Sequence, residues 1–153
     1  MDIRKADNRD CKAVTKLVFS VLREYGLDPD PNGIDHDLKD IEKAYSAQGG
    51  AMFVLENESG VIIGSYGLYP VSDTVCELRK MYLLAKCRGT GLGRRMLKDA
   101  IGRAKQMGFR EMVLETASVL VEAIALYKSF GFVEYTPEQL CSRCDQGYRL
   151  DIG

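Results

Sequence analysis

The sequence contains no tryptophan and a single histidine, His36, in 153 residues. Chemistry that needs an imidazole base, or several imidazole metal ligands, has one residue to draw on. No apolar run approaches the roughly 20 residues of a membrane-spanning helix. The opening Met1-Asp2-Ile3-Arg4-Lys5 lacks the apolar stretch of an export signal. A cytoplasmic protein with no membrane partner is expected. Neither charge is in excess: 21 basic and 22 acidic residues leave a formal net charge of -1, which gives no global pull toward nucleic acid. Any anion site must be local. Five cysteines are an odd number in a chain without an export signal, so reduced thiols are expected rather than a disulfide framework. What is present is ordinary for one globular domain over residues 1–153: 46% hydrophobic and 28% charged residues, with no repeat, low-complexity tract or linker.

Hydrophobic periodicity orders the chain. Residues 3–6 read as a strand, after which Asp7 or Asn8 can cap a helix whose apolar stripe is Cys11, Val14, Val18, Val21, Leu22 and Tyr25. Residues 26–37, rich in Pro, Gly and Asp, form a loop. Leu38, Ile41 and Tyr45 mark a second helix that Gly49-Gly50 stops. Residues 51–56 and 61–69 flank Asn57-Glu58-Ser59-Gly60 as an antiparallel hairpin. In residues 74–84, Leu78 and Tyr82 alternate with Glu77, Arg79 and Met81, the period of a strand. Leu92, Met96, Leu97, Ala100, Ile101 and Ala104 then repeat with helical spacing up to Gly108. Residues 112–116 form a strand, 121–130 a fourth helix, and 132–135 and 148–152 the last strands. The order β-α-α-β-β-β-α-β-α-β-β predicts an α/β (α+β) fold, a mixed sheet of about seven strands with four helices on both faces.

Between the strand ending at Leu84 and the helix beginning near Gly91 stands Arg88-Gly89-Thr90-Gly91-Leu92-Gly93-Arg94. A strand-turn-helix junction of this kind exposes unpaired N–H groups at the positive end of a helix dipole, and missing β-carbons let a phosphate approach them. A dinucleotide fingerprint would need a further glycine where Arg94 and Met96 stand, and a P-loop needs Gly-Lys-Ser/Thr, which never occurs.

These residues resemble the hallmark of the GNAT superfamily of N-acetyltransferases, [Q/R]-x-x-G-x-[G/A], through Arg88, Gly91 and Gly93. A second segment, from Ala123 through Leu126, Tyr127, Gly131 and Phe132, resembles that family's A-x-x-L-Y-x-x-x-G-F. The similarity runs through the strand Glu77-Leu78-Arg79-Lys80-Met81-Tyr82-Leu83 and covers essentially the whole chain. It implies a mostly antiparallel GNAT-like sheet and acetyl-CoA as co-substrate. Met81, Tyr82 and Leu83 would lie along the pantetheine arm, as an added strand would. The amides of Arg88, Gly89, Thr90, Gly91, Leu92, Gly93 and Arg94 would hold the pyrophosphate, and Ala123 and Tyr127 would line the cofactor. Where many members carry an asparagine this chain has Leu120, so Thr116 or Ser118 is expected to take over that contact.

Acyl transfer to an amine needs a base, a polarised carbonyl and a proton for the leaving thiolate. Glu77 stands at the same offset from the glycine motif as the base of histone-acetylating relatives, and simple alternation puts it on one face with Met81 and Leu83. The competing reading is a surface glutamate paired with Arg79 or Lys80. Tyr127 is the candidate acid. The acceptor, a small-molecule or protein amine, is not named by the sequence. Tyr25, Asp28, Asp30 and His36, from the region that overhangs the acceptor site in GNAT-like proteins, are candidates for contact. Arg79 beside Glu77 suggests an acceptor that carries a carboxylate as well as an amine. The competing class is an acyl-CoA binding module without catalysis.

Other signals are set aside. Asp28-Pro29-Asp30-Pro31-Asn32-Gly33 begins like a calcium loop but has Lys39 at the twelfth position. Cys141-Ser142-Arg143-Cys144 has the spacing of half a zinc site with no second pair, so ordinary thiols and no metal are expected. Cys87 neighbours Arg88 and a helix start, which favours thiolate. An edge strand near the C-terminus could pair with a second copy.

Overall fold

The structure, a computed structural model, describes all residues from Met1 to Gly153. Seven strands form one sheet: β1 (Asp2–Lys5), β2 (Ala51–Glu56), β3 (Ile62–Pro70), β4 (Val75–Leu83), β5 (Glu111–Thr116), β6 (Val133–Tyr135) and β7 (Gln146–Asp151). Their spatial order is β1-β2-β3-β4-β5-β7-β6. Every neighbouring pair is antiparallel except β4 and β5. That parallel pair is forced by the crossover through helix α3 (Leu92–Gln106), since a tight hairpin can only join antiparallel strands. The other helices are α1 (Cys11–Glu24), α2 (Ile41–Ala44) and α4 (Val121–Ser129). None is long and apolar enough to cross a membrane. β6 is the edge strand expected near the C-terminus, with Val133 exposed.

Each face of the sheet carries its own core. α1 turns Val14, Val18 and Leu22 onto Met52 and Val54 of β2, together with Leu38, Ile41 and Tyr45. α3 turns Leu97, Ala100 and Ala104 onto the opposite face, against Tyr66, Leu68, Cys76, Leu78, Met112 and Leu114. Of the stripe read in the first helix, Val14, Val18, Val21 and Leu22 are buried and Cys11 and Tyr25 half-buried, and Leu17 joins the buried face. The second helix keeps its predicted inner face but not its continuity. Asp40 takes extended dihedrals (φ -151°, ψ 83°) so that its carboxylate can cap the Lys43 N–H at 3.0 Å. The segment breaks into short turns on either side and ends at left-handed Gly49 (φ 87°).

β4 departs from simple alternation. Ser65 stands opposite Tyr82, whereas Gly67 stands opposite Arg79, so two steps along β3 face three along β4. The extra residue is accommodated by Lys80, whose φ of 52° is the only positive value outside glycine. Buried Ser65 donates its hydroxyl to the Lys80 carbonyl at 2.8 Å, which satisfies the group that the bulge takes out of the ladder. The bulge inverts facing. Cys76, Leu78 and Met81 pack on the α3 side, while Tyr82 packs on the α1 side. The expectation that Glu77 shares a face with Met81 and Leu83, and Leu78 with Tyr82, is thereby overturned.

Candidate active site

β4 and β5 pair only at Val75, Cys76 and Glu77 with Glu111, Met112 and Val113. Beyond that point β4 continues with β3 as far as Leu83, and β5 continues with β7 as far as Thr116. The two strands diverge where the bulge bends β4, and the β4 edge that faces the gap has no strand partner. A cavity of about 670 Å3 opens in the gap, running from the glycine turn to the loop that carries Cys141 and Cys144. Met81, Tyr82, Leu83, Thr116, Ala123 and Tyr127, all expected to contact a cofactor, line it.

At one end of this cavity the turn before α3 is set by Gly89 (φ 76°) and Gly91 (φ 85°). A β-carbon on either would meet nothing within 4 Å, so the left-handed backbone, not crowding, calls for glycine. No side chain caps α3. The N–H groups of Gly89, Thr90, Gly91, Leu92, Gly93 and Arg94 donate to no backbone carbonyl; the first helical bond is from Arg95 to Gly91 at 3.0 Å. Six consecutive donors at the positive end of a 15-residue helix make an anion cradle. Arg88 differs from expectation. Its amide is already taken by the Ala85 carbonyl at 3.2 Å. Its guanidinium donates to the Leu83 carbonyl at 2.8 and 3.1 Å and to the Tyr25 hydroxyl at 3.1 Å, and pairs with Glu24 at 3.0 Å. Arg88 lines the cavity and ties the turn to the end of α1, where its fork finds its acceptors. Arg94 leans on Ser129 and the Phe130 ring.

The other end is acidic. Glu77 pairs with Arg79, whose guanidinium also lies 3.9 Å from the centre of the Tyr69 ring. The pairing that the competing reading anticipated is real, but it lies inside the cavity, with the Glu77 side chain 15% exposed. Arg79 is thereby tied to Glu77 through its Nε, and its side chain, 35% exposed, lines the cavity. Beside Glu77 stands Glu115 of β5, which accepts the Cys141 N–H at 2.6 Å. Burial, and after it the charge of neighbouring Glu77, pushes the Glu115 carboxyl above the usual range. Tyr127 is 5% exposed, packs edge-on against Phe132 and lines the same cavity between the two ends. Its hydroxyl is pushed up by burial and then by Tyr82. A carboxylate pair, a protonated phenol and an anion cradle along one groove are the parts that amine acylation requires.

Residues 17–132 match the model of the acetyltransferase (GNAT) family. The N-acetyltransferase YjgM of Escherichia coli is 37% identical over 85% of this chain and 80% of its own length. An N-acetyltransferase of Schizosaccharomyces pombe is 33% identical over 79% and 75%. The chain belongs to the GNAT acetyltransferase family. Its fold superposes on a GNAT acetyltransferase of Staphylococcus aureus Mu50 with a TM-score of 0.92, at 21% identity and 99% coverage of both chains. The structure of yncA from Salmonella typhimurium, solved with acetyl-CoA, is 26% identical with a TM-score of 0.76, covering 100% of this chain and 94% of that one.

Within this GNAT domain, Tyr25 lines the cavity, although its hydroxyl serves Arg88, while Asp28, Asp30 and His36 stay off the lining. Ser118 cannot take over the contact expected at Leu120, because its hydroxyl and N–H both bind Asp145. Thr116 remains on the lining. Sequence reading missed a buried ion network. Asp35, with no side-chain exposure, accepts both arms of Arg143 at 2.7 Å, and Lys80 lies 3.4 Å from Asp35 and 3.2 Å from Asp37. It missed Glu115 as well. The thiols expected at Cys141 and Cys144 are instead a disulfide, since the tight turn brings their Cα atoms to 5.1 Å.

Proposed function

We propose that this GNAT protein transfers the acetyl group of acetyl-CoA to a primary amine by direct attack within a ternary complex. The observation that carries the reading is the run of free amides at residues 89–94, at one end of a groove whose other end holds Glu77 and Glu115. Free main-chain donors at a helix start suit a diphosphate, and the unpartnered β4 edge suits a pantetheine amide. The relative solved with acetyl-CoA supports the choice of carrier.

Acetyl-CoA supplies an activated acyl carbon and a thiolate leaving group. The Glu77–Glu115 pair takes the proton that the amine loses as its nitrogen bonds to that carbon. An N–H of the β4 edge near Met81 polarises the carbonyl, a contribution of about 3 kcal/mol for one preorganised donor. As the C–S bond breaks, Tyr127 gives its hydroxyl proton to the departing sulfur. Arg79 holds Glu77 in place, and Arg88 holds the turn.

The test combines calorimetry with acetyl-CoA and thiol release in the presence of an amine panel. Binding with amine-dependent thiol release is expected; binding without turnover of any amine would leave a carrier-binding module. Gly91→Ala is expected to weaken carrier binding roughly tenfold, because the free turn relaxes from the left-handed φ that costs a β-carbon about 1–2 kcal/mol and must return to it to present its amides. Unchanged affinity in that variant would separate the turn from the diphosphate.

A further inference from the structure

The sequence offers Cys141 and Cys144 as half of a metal site with nothing to complete it. The fold supplies a third donor. Glu115 comes from β5, and the Cys141 N–H holds its carboxylate against the turn at 2.6 Å. One carboxylate oxygen and the two sulfurs lie within 4.8 Å of one another, and all three residues are half-buried. All three also line the cavity, so a fourth position would open toward the groove.

We propose that the reduced Cys141–Cys144 dithiol and Glu115 bind a thiophilic divalent cation of the zinc type. Two thiolates and a carboxylate with one open position are a donor set such cations accept. The surroundings favour a cation over a bare dithiol. Glu115 stands beside Glu77 and makes no direct ion pair: Arg79 bonds Glu77 and lies on the Tyr69 ring, Arg143 bonds Asp35, and Lys80 meets Asp35, Asp37 and the Ile34 carbonyl.

The disulfide and the metal exclude each other. A dithiol reductant delivers two electrons and two protons to the bond between Cys141 and Cys144, is itself oxidised to a disulfide, and leaves two thiols. Binding then replaces both thiol protons with the cation. The sulfurs must separate from bonding distance to about 3.8 Å, the spacing of tetrahedral ligands at about 2.3 Å from zinc. This site does not rest on acetyl transfer, although a cation there would draw Glu115 away from Glu77.

The test is cobalt titration of the full chain after reduction and removal of the reductant under nitrogen. The expected result is stoichiometric thiolate-to-cobalt charge transfer in the near ultraviolet, with the visible bands of a four-coordinate ion, both abolished by added zinc. Protein oxidised with diamide should show neither. Cys141→Ser and Cys144→Ser should lose the charge-transfer band, and Glu115→Gln should weaken cobalt at least about tenfold. No such band in reduced wild-type protein would overturn the proposal. So would a Glu115→Gln protein that binds cobalt as tightly as wild type, since the third ligand would then be absent.

Discussion

Glu77→Gln is expected to lower kcat/KM for amine acetylation by about 10²–10⁴-fold while leaving acetyl-CoA affinity unchanged. Glutamine keeps the shape of the side chain and can still meet Arg79, but it cannot accept the amine's proton. The cradle of free amides proposed to hold the carrier lies at the far end of the groove, so carrier binding should not follow the loss. Glu115→Gln is expected to fall into the same range, because the two carboxyls are neighbours and the proposed mechanism gives them one task. The double variant should then be little worse than the poorer single one, the mark of residues that act as a unit. Initial rates for the three proteins, each checked by calorimetry for carrier binding, decide the matter. Wild-type rates in Glu77→Gln would remove the base, and fully multiplicative losses would show that the carboxylates act separately.

The parts of this site differ in how far the sequence reveals them. The glycine turn is legible because its chemistry is local: left-handed φ at Gly89 and Gly91 and a helix start at Leu92 are written within a few positions. The stripes of α1 and α3 are legible because burial acts with the period of the helix. The bulge at Lys80 is not, since nothing in Leu78-Arg79-Lys80-Met81 signals it; its carbonyl is satisfied by Ser65 from the neighbouring strand. That one residue reverses which face Glu77 shares. The motif predicts a free amide at Arg88, yet the turn closes that amide onto the Ala85 carbonyl, and the guanidinium takes the acceptors within reach, Glu24 and Tyr25 from the distant end of α1. Glu115 reads as an ordinary strand glutamate until the Cys141 turn is folded onto it. Asp35, Lys80 and Arg143 lie in three separate segments, so no window of sequence holds their network.

That network makes the largest stability prediction. Asp35→Asn is expected to destabilise the protein by about 3–5 kcal/mol at neutral pH, because it leaves Arg143 without its anion and Lys80 with Asp37 alone, all of them largely buried. Burial pushes the Asp35 carboxyl up, but the Arg143 fork, the Asp30 N–H and Lys80 together push it further down, so it lies below its ordinary value of 3.8. A carboxylate depressed in the folded state contributes stability above its unfolded pKa and loses that contribution as pH falls through the folded one. The gap between wild type and variant in urea denaturation should therefore be full at neutral pH and shrink as pH drops below 3.8. Adding Arg143→Met should cost less than its own single effect, since the charge it removes no longer has a partner. The network also holds the Lys80 bulge and joins the loop before α2 to the loop before β7, two walls of the cavity at the end proposed to take the amine. Asp35→Asn should therefore raise KM for the amine more than for acetyl-CoA. A variant as stable as wild type at pH 7, or one whose deficit does not shrink in acid, would mean that Asp35 does not neutralise its two cations.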